Sequence, residues 1–355
     1  MLRKYKIVIA FLFVGQFLFG QNLAALADSV KSGFRGLSVV NEKVLWMSGR
    51  KGLVGHSYNG GDKWKWNRVK GFENSDFRSL FAFDKKNAVI ANAGFPATIL
   101  FTTDAGKNWT TAYSSSDSAM FFDGIDFWDN QHGMIFGDPV KGRMYLSETF
   151  DGGKTWKEIP FADRPQLQEG EASFAASGTT IRTLSNGQIF IATGGAVSRL
   201  WHSRDYGHHW EVFNTPILQG KSSQGIFSLA FSDSLTGIIV GGDYLNDTLT
   251  GNNIFNTTDG GRTWHAPIDF PVKGYFSSVE YVPNPTYKLA MATGTFASYI
   301  SIDGGQTWTV ITPVIVGNTI REASGKKRTT AFFCGGKNGF QRHIFPRNFK
   351  ITISM

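Results

Sequence analysis

An eight-residue pattern, Ser/Thr-x-Asp-x-Gly-x-x-Trp, returns six times along this 355-residue chain, and its regularity constrains the fold more than any other feature. The copies occupy 57–64 (with Asn59 in the Asp place), 102–109, 149–156, 203–210, 257–264 and 301–308. Their tryptophans lie 45, 47, 54, 54 and 44 residues apart, the length of one four-stranded antiparallel sheet with its turns. A short Asp or Asn side chain can accept backbone N–H groups two or three residues on and close a tight turn. The glycine supplies the backbone freedom that the turn needs, and the tryptophan opens the next strand with a broad apolar surface. Asn59, Asp104, Asp151, Asp205, Asp259 and Asp303 are therefore read as structural turn residues.

Repeats of this length predict an all-β, seven-bladed β-propeller over residues 21–340, with the six patterned repeats as six of the blades. The segment 329–336 matches a second-strand pattern again, without the octapeptide, and the N-terminal segment 22–30 supplies a closing strand for that last blade. Six blades is the alternative count. Residues 341–355 are read as an irregular basic tail.

The first 20 residues, charged at Arg3, Lys4 and Lys6 and apolar from Ile7 to Phe19, have the form of a signal peptide. The mature chain is therefore expected to be exported, periplasmic or secreted, with no membrane span. Cys334 is the sole cysteine, which leaves no intramolecular disulfide to form. The net charge of +8 sits at the ends: +3 lies in residues 1–20 and +7 after Gly317, which leaves 21–316 at −2. A near-neutral body offers no footprint for a phosphate backbone, so nucleic-acid binding is excluded.

In a propeller, the loops entering the innermost strands and those joining second to third strands open on one face, around the channel. The two long repeats carry their extra residues at 161–172 and 243–253, both on that face. Aligning the repeats places Arg35, Arg78 and Asp123 at equivalent innermost-strand starts. Asp138 and Asp243 follow second-strand glycines; Glu169 and Glu171 sit in the first insertion, and Arg199 and Gln224 are close by. Arg35, Arg78, Glu169, Arg199 and Gln224 are candidate binding residues. Asp123, Asp138, Glu171 and Asp243 are the carboxylates that could form an acid/base pair for glycoside hydrolysis. No metal-ligand spacing emerges among the scattered histidines and no dinucleotide-binding glycine pattern is present, so no metal or cofactor is expected.

The octapeptides resemble the Asp-box, or BNR repeat, of bacterial sialidases, sortilin-type receptors and related propellers. The stretch 33–37, Gly-Phe-Arg-Gly-Leu, resembles the Phe/Tyr-Arg-Ile-Pro opening of sialidase domains without its Ile-Pro; that likeness implies Arg35 as a substrate-carboxylate ligand, with Arg78, Arg182 and Arg199 as the other arginines. At the level of whole blades, residues 22–340 resemble the photosystem II stability/assembly factor family, through the six boxes and the inner strands Phe-Arg-Ser-Leu at 77–80 and Ile-Phe-Ser-Leu at 226–229. The segments at 137–140, 169–174 and 241–244 resemble an exported bacterial branch of it. This likeness implies a non-catalytic scaffold that binds other proteins through its channel-mouth face, where the family carries an arginine patch. The chain departs from that pattern at Asp123, where the arginine series would continue. The two expectations are thus a protein-binding assembly scaffold and, as the alternative, a glycoside hydrolase or sialidase-like enzyme acting in the same bowl, with a protein partner or a glycan as ligand.

Overall fold

In the computed structural model, residues 24–25, 33–268, 273–282, 288–311, 319–324, 328–334 and 340–346 are described. The expected signal segment 1–20 and residues 347–355 lie outside the described residues. The chain is an all-β propeller. Six blades follow one another between Phe34 and Val310, the smaller of the two counts that the repeats allow. Blade one runs Phe34–Val39, Leu45–Gly49, Leu53–Ser57 and Lys65–Arg68. In blade two the strands are Phe77–Ala82, Ala88–Asn92, Ala97–Thr102 and Thr110–Ser115. Each is a meander of antiparallel neighbours, so the chain moves outward from the axis and then steps to the next blade.

Burial follows position in the blade. Ala88–Asn92 is buried along its whole length because the flanking blades cover both of its faces, whereas the outermost Thr110–Ser115 is largely exposed. Apolar side chains of successive blades interleave between the sheets. Phe122, Ile135 and Tyr145 of blade three, for example, pack with Val89, Ala91 and Ile99 of blade two.

The two ends of the chain form one further four-stranded sheet. Its strands Thr319–Ser324, Arg328–Cys334 and Phe340–Pro346 run outward, and Ala24–Ala25 pairs on the outside, with Ala24 opposite Arg342. The innermost strand of this sheet touches the innermost strands of blades six and one. The tail expected to be irregular from residue 341 is therefore strand as far as Pro346. Residues 340–346 pair along their length with Arg328–Cys334, and this pairing does not depend on the missing octapeptide.

Two departures from a plain ring matter for the mouth. The inner strands of blades one, two, three, five and six all shift register at one place, just after Phe34, Phe77, Phe122, Ile226 and Phe276. A bulge adds one residue on one strand and re-aims its side chain. The residues so placed are Arg35, Arg78, Asp123, Phe227 and Ser277. The bulged chain also presses on the end of the second strand: a Cβ at Gly137 would lie 2.0 Å from the Phe121 carbonyl oxygen, and one at Gly241 1.9 Å from that of Gly225. The second-strand glycines are thus required by close approach. The other departure is in blade five, whose sheet gains two short inner pieces, Glu171–Ala172 and Gly194–Gly195.

Candidate functional site: the strapped channel mouth

The expected open bowl is filled by the chain itself. Residues 173–180, between blades three and four, cross the mouth as a strap and touch five blades. The Ser173 N–H donates to Asp138 Oδ1 at 3.1 Å on blade three, and Arg35 Nη1 of blade one donates to the Ala176 carbonyl at 3.2 Å. Gly178 lies over the backbone of Arg78 and Ser79 on blade two. On blade five, the Leu229 N–H donates to the Thr179 carbonyl at 3.0 Å and Thr179 Oγ1 to Ser228 Oγ at 2.6 Å; on blade four the Ala192 N–H donates to the Thr180 carbonyl at 2.9 Å. Phe174 stacks on the bulge residue Phe227 with ring centroids 4.2 Å apart. Of the insertion expected to shape the mouth, 161–172, the first part lies beside blade three, where Arg164 pairs with Glu158 at 2.7 Å and the Leu167 N–H donates to the Gly142 carbonyl, and its end, Glu171–Ala172, joins the inner edge of blade five's sheet.

Under this strap the four candidate carboxylates do not form an open pair. Asp123 is 0% exposed and neither of its carboxyl oxygens has a hydrogen-bond partner. Burial, with the neighbouring Asp138 second, raises its pKa well above the ordinary value, and Arg78 offsets this only in part. Asp138 is also raised, first by burial, against the Ser173 N–H that favours its charged form. Glu171 is buried in a bidentate pair with Arg199, whose Nη2 lies 2.6 Å from Oε2 and whose Nε lies 3.1 Å from both oxygens. It further accepts Thr193 Oγ1 at 2.6 Å, Trp201 Nε1 at 3.3 Å and the Gln168 N–H at 2.9 Å. Asp243 accepts Gln224 Nε2 at 3.0 Å and the Leu245 N–H at 3.0 Å. Burial works to raise its pKa, but the hydrogen bonds from Gln224, Ser223 and the loop backbone win and hold it low. Glu171 and Asp243 are thus tied to loop and strand, Asp123 is sealed, and Asp138 anchors the strap.

The candidate arginines divide. Arg35 and Arg78 come together at the mouth, where Asp76 Oδ2 lies 2.9 Å from Arg78 Nε and 3.6 Å from Arg50 Nε. Burial, then Arg78, lowers the pKa of Arg35. Arg182 instead pairs with Glu280 across the channel at 2.5 Å, and Arg199 holds Glu171, so the four do not assemble into a sialidase-type triad. Gln224 is a partner of Asp243, and Glu169 is exposed beside the strap.

Around the strap the mouth face carries side chains that the sequence reading passed over. Phe95 is 65% exposed, Leu245 75%, Tyr244 47% and Phe296 41%, and all four lie in connections between second and third strands. Their signal was available: an apolar residue at a Gly- or Asp-bounded turn, as in Gly94-Phe95-Pro96 and Asp243-Tyr244-Leu245.

The Asp-boxes lie on the opposite face and share one geometry. In the fifth, Thr257 Oγ1 donates to Asp259 Oδ1 at 2.8 Å and accepts the Gly261 N–H at 3.0 Å, while Asp259 accepts the Thr263 N–H at 2.9 Å. Asn59 does the same in the first box, accepting Ser57 Oγ and the Lys63 N–H, each at 2.9 Å. Asp104, Asp151, Asp205 and Asp303 accept the corresponding hydroxyl at 2.8 to 3.0 Å.

Comparison with known proteins agrees with this geometry. The BNR/Asp-box repeat family matches residues 299–310. The xyloglucanase Xgh74A of Acetivibrio thermocellus is 24% identical over 234 residues, which span 52% of this chain and 27% of that protein. Among solved structures, YCF48 bound to a D1 peptide superposes with a TM-score of 0.63 at 17% identity, covering 91% of this chain and 94% of the other. YCF48 from Cyanidioschyzon merolae gives 0.59 at 17% identity, covering 90% and 98%. The chain thus carries a BNR/Asp-box repeat and has a β-propeller fold similar to that of YCF48.

Proposed function

We propose that this chain is an exported, non-catalytic scaffold that binds a segment of a partner protein on its channel-mouth face. One contrast carries this reading: the carboxylates of the mouth are sealed or tied, while apolar side chains of blades two, five and six stand exposed around them. Exposed aromatic and aliphatic anchors beside arginines suit a protein interface. The peptide seen on YCF48 supports the same use of a similar fold. The charged-then-apolar start supports export to the periplasm or medium. We further read the sheet built from both chain ends as a seventh blade, since it touches blades six and one.

A photo-cross-linking residue placed at Phe95, Leu245 or Phe296 in the exported chain tests the binding face. One partner should be captured from all three positions and lost in the Phe95→Ser/Leu245→Ser/Phe296→Ser variant when the cross-linker is moved to Tyr244. Equal capture from a position on the Asp-box face, such as Lys107, would remove the reading.

The xyloglucanase relative motivates a hydrolase as the second reading. Hydrolysis needs two carboxyl groups about 5–10 Å apart across an open cleft. The sealed Asp123 and the ion-paired Glu171 do not offer that, and xyloglucan incubated with the protein should release no reducing ends. Release that disappears in Asp138→Asn would reinstate the enzyme.

A further inference from the structure

On the face opposite the mouth, the turns of blades two and three enclose a cleft of about 240 Å³. One part of its wall is apolar, from the half-buried rings of Phe83 and Phe101. The rest is lined by polar residues: Asn87, Asn130, Gln131, Thr103, Asp84 and Asp151.

These polar groups are held in place before any ligand arrives. Asp84 accepts the N–H groups of Lys86 and Asn87 on Oδ1 and Asn87 Nδ2 on Oδ2 at 2.7 Å. Asp151 is fixed by its box, with Oδ2 accepting Thr155 Oγ1 at 2.7 Å. A carboxylate has about four acceptor positions; Asp84 uses three and keeps one toward the cleft, while the four of Asp151 are taken by Thr149 Oγ1, the Lys154 and Thr155 N–H groups and Thr155 Oγ1. The loop bearing Asn130 and Gln131 is held by the Asp129 carboxylate, which accepts the Gln131 N–H at 2.7 Å, and by the Gly152 N–H, which donates to the Gln131 carbonyl at 2.9 Å. Gly152 has φ +72°, and a Cβ there would lie 2.8 Å from the Asn130 carbonyl oxygen, so this approach needs glycine. Beside Asp151 in sequence, Phe150 is 62% exposed and stacks on His132 at 4.6 Å, and His132 stacks in turn on Tyr206 at 4.7 Å. That holds an exposed ring one residue from Asp151, which lines the cleft.

We propose that this cleft binds one neutral hexopyranose ring, with Phe150 as a stacking platform for the adjoining ring of a longer saccharide. A sugar ring presents axial C–H groups to an aromatic wall and a fringe of hydroxyls, each both donor and acceptor, to amides and carboxylates. Drug-sized ligands occupy roughly 300–1,000 Å³, so a cleft of about 240 Å³ suits a single ring. The two carboxylates, against Lys154 alone, disfavour acidic sugars. The site lies on the other face from the proposed protein interface and does not depend on it.

Saturation-transfer NMR and calorimetry with methyl β-glucoside, methyl β-galactoside, methyl α-mannoside, cellotetraose and N-acetylneuraminic acid test it. At least one neutral sugar should bind and N-acetylneuraminic acid should not. Asn130→Ala/Gln131→Ala, exposed loop changes that leave the fold intact, should weaken binding by about 10-fold, as expected for two lost hydrogen bonds. Phe150→Ala should remove only the advantage of cellotetraose over the monosaccharide. Phe95→Ser, at the mouth, should change nothing here. Absence of binding by every neutral sugar, or binding indifferent to Asn130→Ala/Gln131→Ala, would overturn the proposal.

Discussion

At the scale of single residues, the bulge after each inner-strand aromatic decides what the mouth contains. The alignment of Arg35, Arg78 and Asp123 was legible in the sequence because each follows a Phe at the start of an innermost-strand pattern. Phe227 and Ser277, the same position in blades five and six, were not, because nothing in their residue types announces a shared backbone irregularity. Asp123 offers a direct test of its surroundings. Its folded pKa is raised above the ordinary 3.8, so the folded state keeps a proton that the unfolded chain releases. Stability is therefore fully present below that value and declines as pH rises toward the folded pKa. Urea midpoints measured across pH should show Asp123→Asn gaining on the parent as pH climbs; parallel curves would mean that Asp123 is charged and solvated. Glu171→Ala leaves Arg199 buried without its carboxylate and should cost about 3–5 kcal/mol in a denaturant titration, whereas replacing both by Leu and Met should recover much of that loss.

At the scale of the element, the box works as a self-contained turn, which is why it could be read from the octapeptide alone. Its hydrogen bonds close within a few residues, and three of its indoles, those of Trp156, Trp210 and Trp308, donate to the glycine carbonyl of their own box at 2.9 to 3.1 Å. Asp259→Ala removes acceptors for Thr257, Thr263 N–H and Thr263 Oγ1, and is expected to cost about 1–3 kcal/mol. Asp259→Asn should cost less, since Asn59 closes the first box with the same Oδ1 contacts. For Asp205 and Asp259, burial pushes the pKa up, but the hydrogen bonds within the box outweigh it and bring each down to about 2. What these boxes contribute is present above the ordinary 3.8 and fades as pH falls toward about 2. Acid titration followed by near-ultraviolet dichroism should show the loss in that window, and Asp259→Asn should carry a smaller acid-sensitive component than the parent.

At the scale of the whole molecule, the ring is closed by contacts between residues far apart in the chain. Ala24 and Ala25 meet Arg342 and Gln341, and the strand Thr319–Ser324 touches the inner strands of blades six and one. Removing residues 319–355 should expose the flanks of those blades and replace one cooperative melting transition by a broader one at lower temperature, as scanning calorimetry would show; an unchanged single transition would mean that blades one to six close without this sheet. The sequence by itself determined the repeat, the turn chemistry and the all-β propeller, because boxes and alternating strands are local patterns whose periods survive without knowledge of neighbours. Tertiary structure alone decided that residues 173–180 fill the mouth, that Glu171 belongs to Arg199 and Arg182 to Glu280, and that Phe95, Tyr244, Leu245 and Phe296 all stand exposed on the mouth face. Those are contacts between segments separated by tens to hundreds of residues. They are set by how blades pack around an axis, and no spacing within one repeat encodes them.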